Sequence, residues 1–430
     1  MTSARSNGLW AVSQQLITVG LSGIFSIALI RVLPVSEFGI FSYATTLAAL
    51  GVSIMTGGMQ ALAVRELRGQ KHDRRIVLGA VFFIREAIAL VVYALFVIYS
   101  SAFVGGGVAL PAAFACLAVL ARVVDAPELV FQADLRTKTP ALIRSLVGIG
   151  FFAIRMIAIF TWPSLELFIG LFVLEQLIAG LTILLAYSRA YGPNPFSWPE
   201  VDYTRTMAKH SAPLSLSGIA NQVNLRADVV ILQTLSGSIS VALYSAAARL
   251  SELLYVIPTA YMSATFPSLL DLKNHNKTAE YRRALEVGFS GAFYLGVSVA
   301  VAIWFSADWI VSLLFGPDYA QSARVLQIHV LACPFVFMAA VLSKWIVAEG
   351  LLWISFLRHA IGATLAVTLN LALIPTYGID GAAWATVASY SAASYLFCFF
   401  SRPTFGIALT MTRAPLVPLL HFTSRLRGKS

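Results

Sequence analysis

The chain has 430 residues, 58% of them hydrophobic and only 12% charged, about half the charged share of a soluble domain. A mean hydropathy of +0.80 excludes a water-soluble fold, and twelve bilayer crossings of about 20 residues each leave connections too short for a folded domain outside the membrane. The formal charge of +10 is therefore a matter of loop placement, and no nucleic-acid partner is expected.

Apolar segments of spanning length recur at 9–30, 40–61, 77–99, 109–131, 141–161, 165–187, 212–235, 241–265, 287–306, 325–348, 354–374 and 382–400. Each is expected to be a helix, because lipid offers the backbone no hydrogen-bond partners. The first run is too long for a signal-peptide core and lacks a small-residue cleavage site, so it reads as an uncleaved span. The predicted fold is an all-α polytopic membrane protein of about twelve spans. Cys116, Cys333 and Cys398 fall inside apolar runs without metal or redox spacing and read as packing residues.

With the N-terminus inside, the inside regions hold 21 of the 30 Lys and Arg, Arg358 among them, and the outside regions hold Arg31 and Arg324. That asymmetry predicts both termini in the cytoplasm. Outside connections at 161–165, 236–240 and 376–381 are a handful of residues long. The inside loop at 188–210 is long and rich in Pro, Trp and charge. It divides the chain into two six-helix lobes, 1–200 and 201–400, followed by a basic cytoplasmic tail, 401–430. Weak internal similarity agrees: 38–47 (FGIFSYATTL) aligns with 241–250 (VALYSAAARL), and Leu142-Ile143-Arg144 with Phe356-Leu357-Arg358, each near the start of a fifth span. The stretch 404–420 is too short to span and carries Pro415 and Pro418. With its flanking Arg and Lys it should lie on anionic membrane lipids at the inner surface.

Seven cations fall within spans: Arg85, Arg122, Arg144, Arg155, Arg226, Arg249 and Lys344. Six carboxylates accompany them: Glu86, Asp125, Glu128, Glu175, Asp228 and Glu252. At about 2.5–3.5 kcal/mol per charge near a helix centre, they should face the interior or a wet cavity. Arg122 with Asp125, and Arg249 with Glu252, can pair locally at i, i+3. Arg155, Arg226 and Lys344 have no acid a turn away, so a partner must come from another helix or a ligand. Arg144 and Lys344, near the inner mouth, are expected to snorkel to headgroups. Arg155 and Arg226 lie deeper and are the first choice for ligand binding, with Arg122, Arg249 and Arg85 as further cavity cations. Glu175 and Asp228, with Asp125 and Glu252 behind them, are candidates for carrying a coupling proton. No spacing suggests a metal site, a cofactor or an enzyme centre.

The segment 369–389 (LNLALIPTYGIDGAAWATVAS) resembles the penultimate-helix exit of the Wzx-type polysaccharide and O-antigen flippases of the multidrug/oligosaccharidyl-lipid/polysaccharide exporter superfamily. The segments 31–43 (RVLPVSEFGIFSY), 228–267 with its ALYSAAARL and closing TFP, and 315–326 (FGPDYAQSARVL) resemble it too. Physically, 369–389 reads as a helix ended by Pro375, a tight turn at Gly378 and Gly381, and a close-packing small-residue helix. The resemblance implies that the two lobes surround a central cavity opening alternately to either side, with a lipid-linked oligosaccharide on undecaprenyl pyrophosphate as substrate, moved from the inner to the outer leaflet of the bacterial cytoplasmic membrane. It also implies a polysaccharide polymerase and glycosyltransferases as neighbours. A diphosphate needs cations at membrane depth, which the arginines supply. The rivals are a cation-coupled multidrug exporter, which would favour an acidic, aromatic cavity, and a membrane glycosyltransferase or polymerase, which would need a larger outside loop.

Overall fold

The computed structural model describes residues 2–70, 72–198 and 200–416, and among them every regular element is a helix. Sixteen α-helices follow in order. They are α1 Thr2–Val32, α2 Val35–Thr56, α3 Met59–Gly69, α4 Arg74–Tyr99, α5 Gly106–Ala121, α6 Glu128–Ala133, α7 Lys138–Thr161 and α8 Leu165–Tyr191, then α9 Val201–Leu254, α10 Val256–Asn274, α11 Thr278–Phe315, α12 Gln321–His329, α13 Cys333–Ala348, α14 Leu352–Ser391, α15 Phe397–Phe400 and α16 Arg402–Arg413. Nine helical stretches of the described residues are long and apolar enough to cross a membrane. Each of the twelve apolar segments read from the sequence lies mainly on helix, and three of them are interrupted by turn residues, at 57–58, 126–127 and 255.

Two of those stretches double back. α9 departs from helical geometry at Gly237 (φ 79°), and Tyr244 donates a hydrogen bond to Asp228. In an unbroken helix those residues would lie about 24 Å apart, so the chain reverses at Gly237. α14 breaks in the same way at Gly378 (φ 56°). A side chain at Gly381 would meet the Leu373 carbonyl oxygen at 2.4 Å, which only a reversed chain brings there. The expected helix end at Pro375 is corrected: helix continues through Pro375 and ends at Gly378, because the positive φ, which glycine alone adopts freely, stops it.

The chain divides into two compact units, Met1–Ser245 and Ala246–Ser430. In the first, α3, α4 and α6 surround a core of Leu62, Leu67, Val77, Leu78, Leu129 and Phe131. α4 opens on Asp73, whose carboxylate accepts from the Arg75 amide at 2.9 Å. Gly39 of α2 is a forced glycine, since a side chain there would collide with the Ser238 carbonyl at 1.8 Å. Both segments of the internal repeat are largely buried, 38–47 on α2 and 241–250 on α9. In the second unit, α16 buries Thr404, Ile407, Ala408 and Met411 at helical spacing and leaves Phe405 and Leu409 exposed. Pro418 and the remainder of the tail lie outside the described residues.

Candidate functional site: buried charges of the first unit

A break in the fourth apolar segment organises the charges of the first unit. α5 gives way to a 3-10 turn at Arg122–Asp125, and Pro127, which cannot donate an amide and disfavours helix before it, precedes α6. The break places Asp125 at the meeting point of three guanidiniums. Arg85 of α4 donates to its Oδ1 at 3.2 Å, Arg122 donates to Oδ2 at 3.1 Å, and Arg144 of α7 donates to Oδ2 at 2.8 Å. Arg144 also pairs with Glu128 of α6, and Arg122 reaches Gln176 Oε1 on α8 at 3.2 Å. Arg85 and Asp125 are almost wholly enclosed. Three arginines against two carboxylates leave one formal positive charge.

A second pair lies along α7. Arg155 donates to Glu175 Oε2 of α8 at 2.6 Å and to the Leu171 carbonyl at 3.4 Å, and its guanidinium sits 5.2 Å from the Phe25 ring centroid. Its Nε is buried with no hydrogen-bond partner. Glu175 also approaches α7 at Gly148, two turns before Arg155. The two residues whose own helices offer no partner are thus partners of one another.

The other candidates fall elsewhere. Arg226 and Asp228 lie on the arm of α9 before Gly237, with Asp228 buried against Tyr244 and accepting from the Val229 amide at 2.7 Å. Arg249 and Glu252 lie on the part of α9 within the second unit. None of Arg226, Arg249 and Glu252 is without a partner. Among the described residues no group of three His, Cys, Asp or Glu could hold a metal ion.

Two expectations are corrected. Arg144 does not snorkel: it is drawn inward because two carboxylates face it across the 3-10 break. Lys344 of α13, half-buried, has its ammonium 5.2 Å from the Phe266 ring centroid, a contact that same-helix spacing does not reveal. Arg358, grouped with the loop cations, is buried on α14, 5% exposed. It donates to Ser343 Oγ at 2.7 Å while its Nε has no partner. Sequence reasoning missed Gln176 and Tyr244 as partners, which no same-helix spacing reveals. Glu128 could have been found, since it follows Asp125 by three residues.

The family model described as polysaccharide biosynthesis protein matches residues 4–273. The chain belongs to that family. A second model, MatE, matches 213–372. Among curated proteins, the chain is 29% identical to a probable flippase AglR of Haloferax volcanii over 174 residues, 39% of this chain and 36% of that one. It is 26% identical to a putative O-antigen transporter of Shigella flexneri, over 40% of each chain. The chain thus spans well under two thirds of the curated relatives it matches. Among solved structures, the lipid II flippase MurJ in an inward closed conformation superposes with a TM-score of 0.76 at 15% identity, covering 96% of this chain and 91% of that one. An inward-facing multidrug resistance MATE family transporter gives 0.63 at 16% identity, covering 92% and 95%. These likenesses establish the fold, and with the apolar helices the chain is a multi-pass membrane protein.

Proposed function

We propose that the protein is a flippase. It moves an oligosaccharide on undecaprenyl pyrophosphate from the inner to the outer leaflet of the bacterial cytoplasmic membrane by alternating access, for O-antigen, capsule or exopolysaccharide synthesis. The observation that carries this reading is membership of the polysaccharide biosynthesis family in a chain that keeps guanidiniums inside apolar helices. Relatives named as flippases and O-antigen transporters support it. In this reading the chain crosses twelve times with both termini in the cytoplasm, in lobes 1–200 and 201–400 with a basic tail, and it needs no cofactor.

Arg155 and Arg226 are the first contacts for the pyrophosphate, with Arg122, Arg249 and Arg85 as further cavity cations. The Arg155–Glu175 pair joins binding to coupling. Protonation of Glu175 removes the competing carboxylate and frees Arg155 for phosphate, and deprotonation reclaims it. A proton then shifts the transporter only by its differential affinity for the two states. Asp228, Asp125 and Glu252 are the alternative carriers.

The test is transport of a lipid-linked oligosaccharide in proteoliposomes. Arg155→Ala and Arg226→Ala abolish it at normal protein levels, Lys restores it only in part, and Glu175→Gln removes its pH dependence while binding persists. Normal transport by both Ala variants overturns the assignment. The MatE match over 213–372 favours one second reading, a cation-coupled drug exporter; drug efflux without glycan transport would select it.

A further inference from the structure

In the second unit, the α10–α11 hairpin and α13 enclose a cavity of about 400 Å³, within the size range of small-molecule sites. Ser268, Glu280 and Arg283 line the end nearest the turn, and Tyr261, Val287, Gly288 and Val341 line the far end. Ser268 is six residues from the end of α10 and Arg283 five from the start of α11, so both sit within about 9 Å of the polar turn at 1.5 Å per residue. Tyr261 and Gly288 lie roughly 15–20 Å beyond it. The groove therefore runs from a charged mouth beside the turn to an apolar end at the level where the apolar segments 241–265 and 287–306 meet the membrane surface.

The mouth is charged in both senses. Arg283 is exposed and makes no hydrogen bond or ion pair among the described residues. Glu280, one turn earlier on the same face, has only Lys277 at 3.4 Å, with both side chains more than half exposed, a pair too weak to compete with a ligand. Gly288 leaves the far end bare: a methyl there would meet Val341 Cγ1 at 3.5 Å, ordinary contact, whereas a larger side chain would occupy the space.

We infer that this groove seats a phospholipid whose headgroup carries a primary amine beside its phosphate. The phosphodiester lies on Arg283, the ammonium lies on Glu280 two carbons away, and one acyl chain lies between Tyr261 and Gly288. A mouth of one cation and one anion, a helical turn apart, complements a zwitterion better than an anionic lipid, which Glu280 repels, or a pyrophosphate, which needs more than one guanidinium. The site does not depend on the transport reading.

Native mass spectrometry of the full chain in detergent, titrated separately with dioleoyl phosphatidylethanolamine, phosphatidylglycerol, phosphatidylcholine and inorganic phosphate, tests it. Phosphatidylethanolamine should bind best, one per chain. Arg283→Gln should weaken it about tenfold or more, and Glu280→Gln should remove its advantage over phosphatidylcholine. Gly288→Leu should weaken every lipid, whereas Gly288→Ala should bind as the parent does. Thermal unfolding of each variant establishes that it is folded. Equal binding of phosphatidylethanolamine by the parent, Arg283→Gln and Gly288→Leu would overturn the site. A preference for phosphatidylglycerol, or equal binding of free phosphate, would overturn its occupant.

Discussion

Arg144 in the first unit and Arg358 in the second are each the seventh residue of their helices, α7 and α14, and each closes a similar tripeptide. Their surroundings are opposite. Arg144 meets Asp125 and Glu128, and Asp125 gathers Arg85 and Arg122 as well. Arg358 has one hydroxyl, Ser343 Oγ, and no carboxylate within ion-pair distance among the described residues. The spacing that carries Arg144 to Arg358 carries Asp125 to Ala339 and Glu128 to Leu342, so the acids are missing from the second half of the repeat. The same position thus holds a compensated charge in one unit and an uncompensated one in the other. A guanidinium shielded by carboxylates is costly to disturb, while one held by a single hydroxyl can be improved by an added acid.

The strongest way to break this comparison is to remove the shared acid. Asp125→Asn leaves three arginines around a neutral amide and is expected to cost about 3–5 kcal/mol, seen as the largest drop in thermal unfolding temperature of the detergent-purified protein. Ser343→Ala strips Arg358 of its hydroxyl partner and should cost about 1–3 kcal/mol; an unchanged melting temperature would mean that the hydroxyl contributes nothing. Ser343→Asp reverses the sign, since it gives Arg358 the acid that Arg144 already has, and should raise the melting temperature by an amount of similar size. Lys273→Met gives the smallest effect. Its pair with Glu349 at 2.8 Å leaves both side chains about a third exposed, so the loss should stay below about 1 kcal/mol and shrink further in high salt.

The charges legible in the sequence were those whose partners share a helix. Arg122 and Asp125 are three residues apart, and their pair is present at 3.1 Å. The Arg155–Glu175 pair was visible only as two separate absences, because its members stand on α7 and α8, 20 residues apart. Arg358 misled, since proximity to an apparent loop says nothing about which way a side chain packs. Ser343, its partner, belongs to α13.

Composition alone determined that the chain is helical and embedded in a membrane, because apolar runs of spanning length must satisfy their own backbone hydrogen bonds when lipid surrounds them. The short outside connections at 236–240 and 376–381 also marked the two reversals, which the structure makes at Gly237 and Gly378, where positive φ is strained for other residues. Tertiary structure decided which buried charges neutralise one another and where a groove opens between α10, α11 and α13. Those outcomes depend on distances between helices remote in sequence, and helical periodicity fixes only the face a residue takes on its own helix.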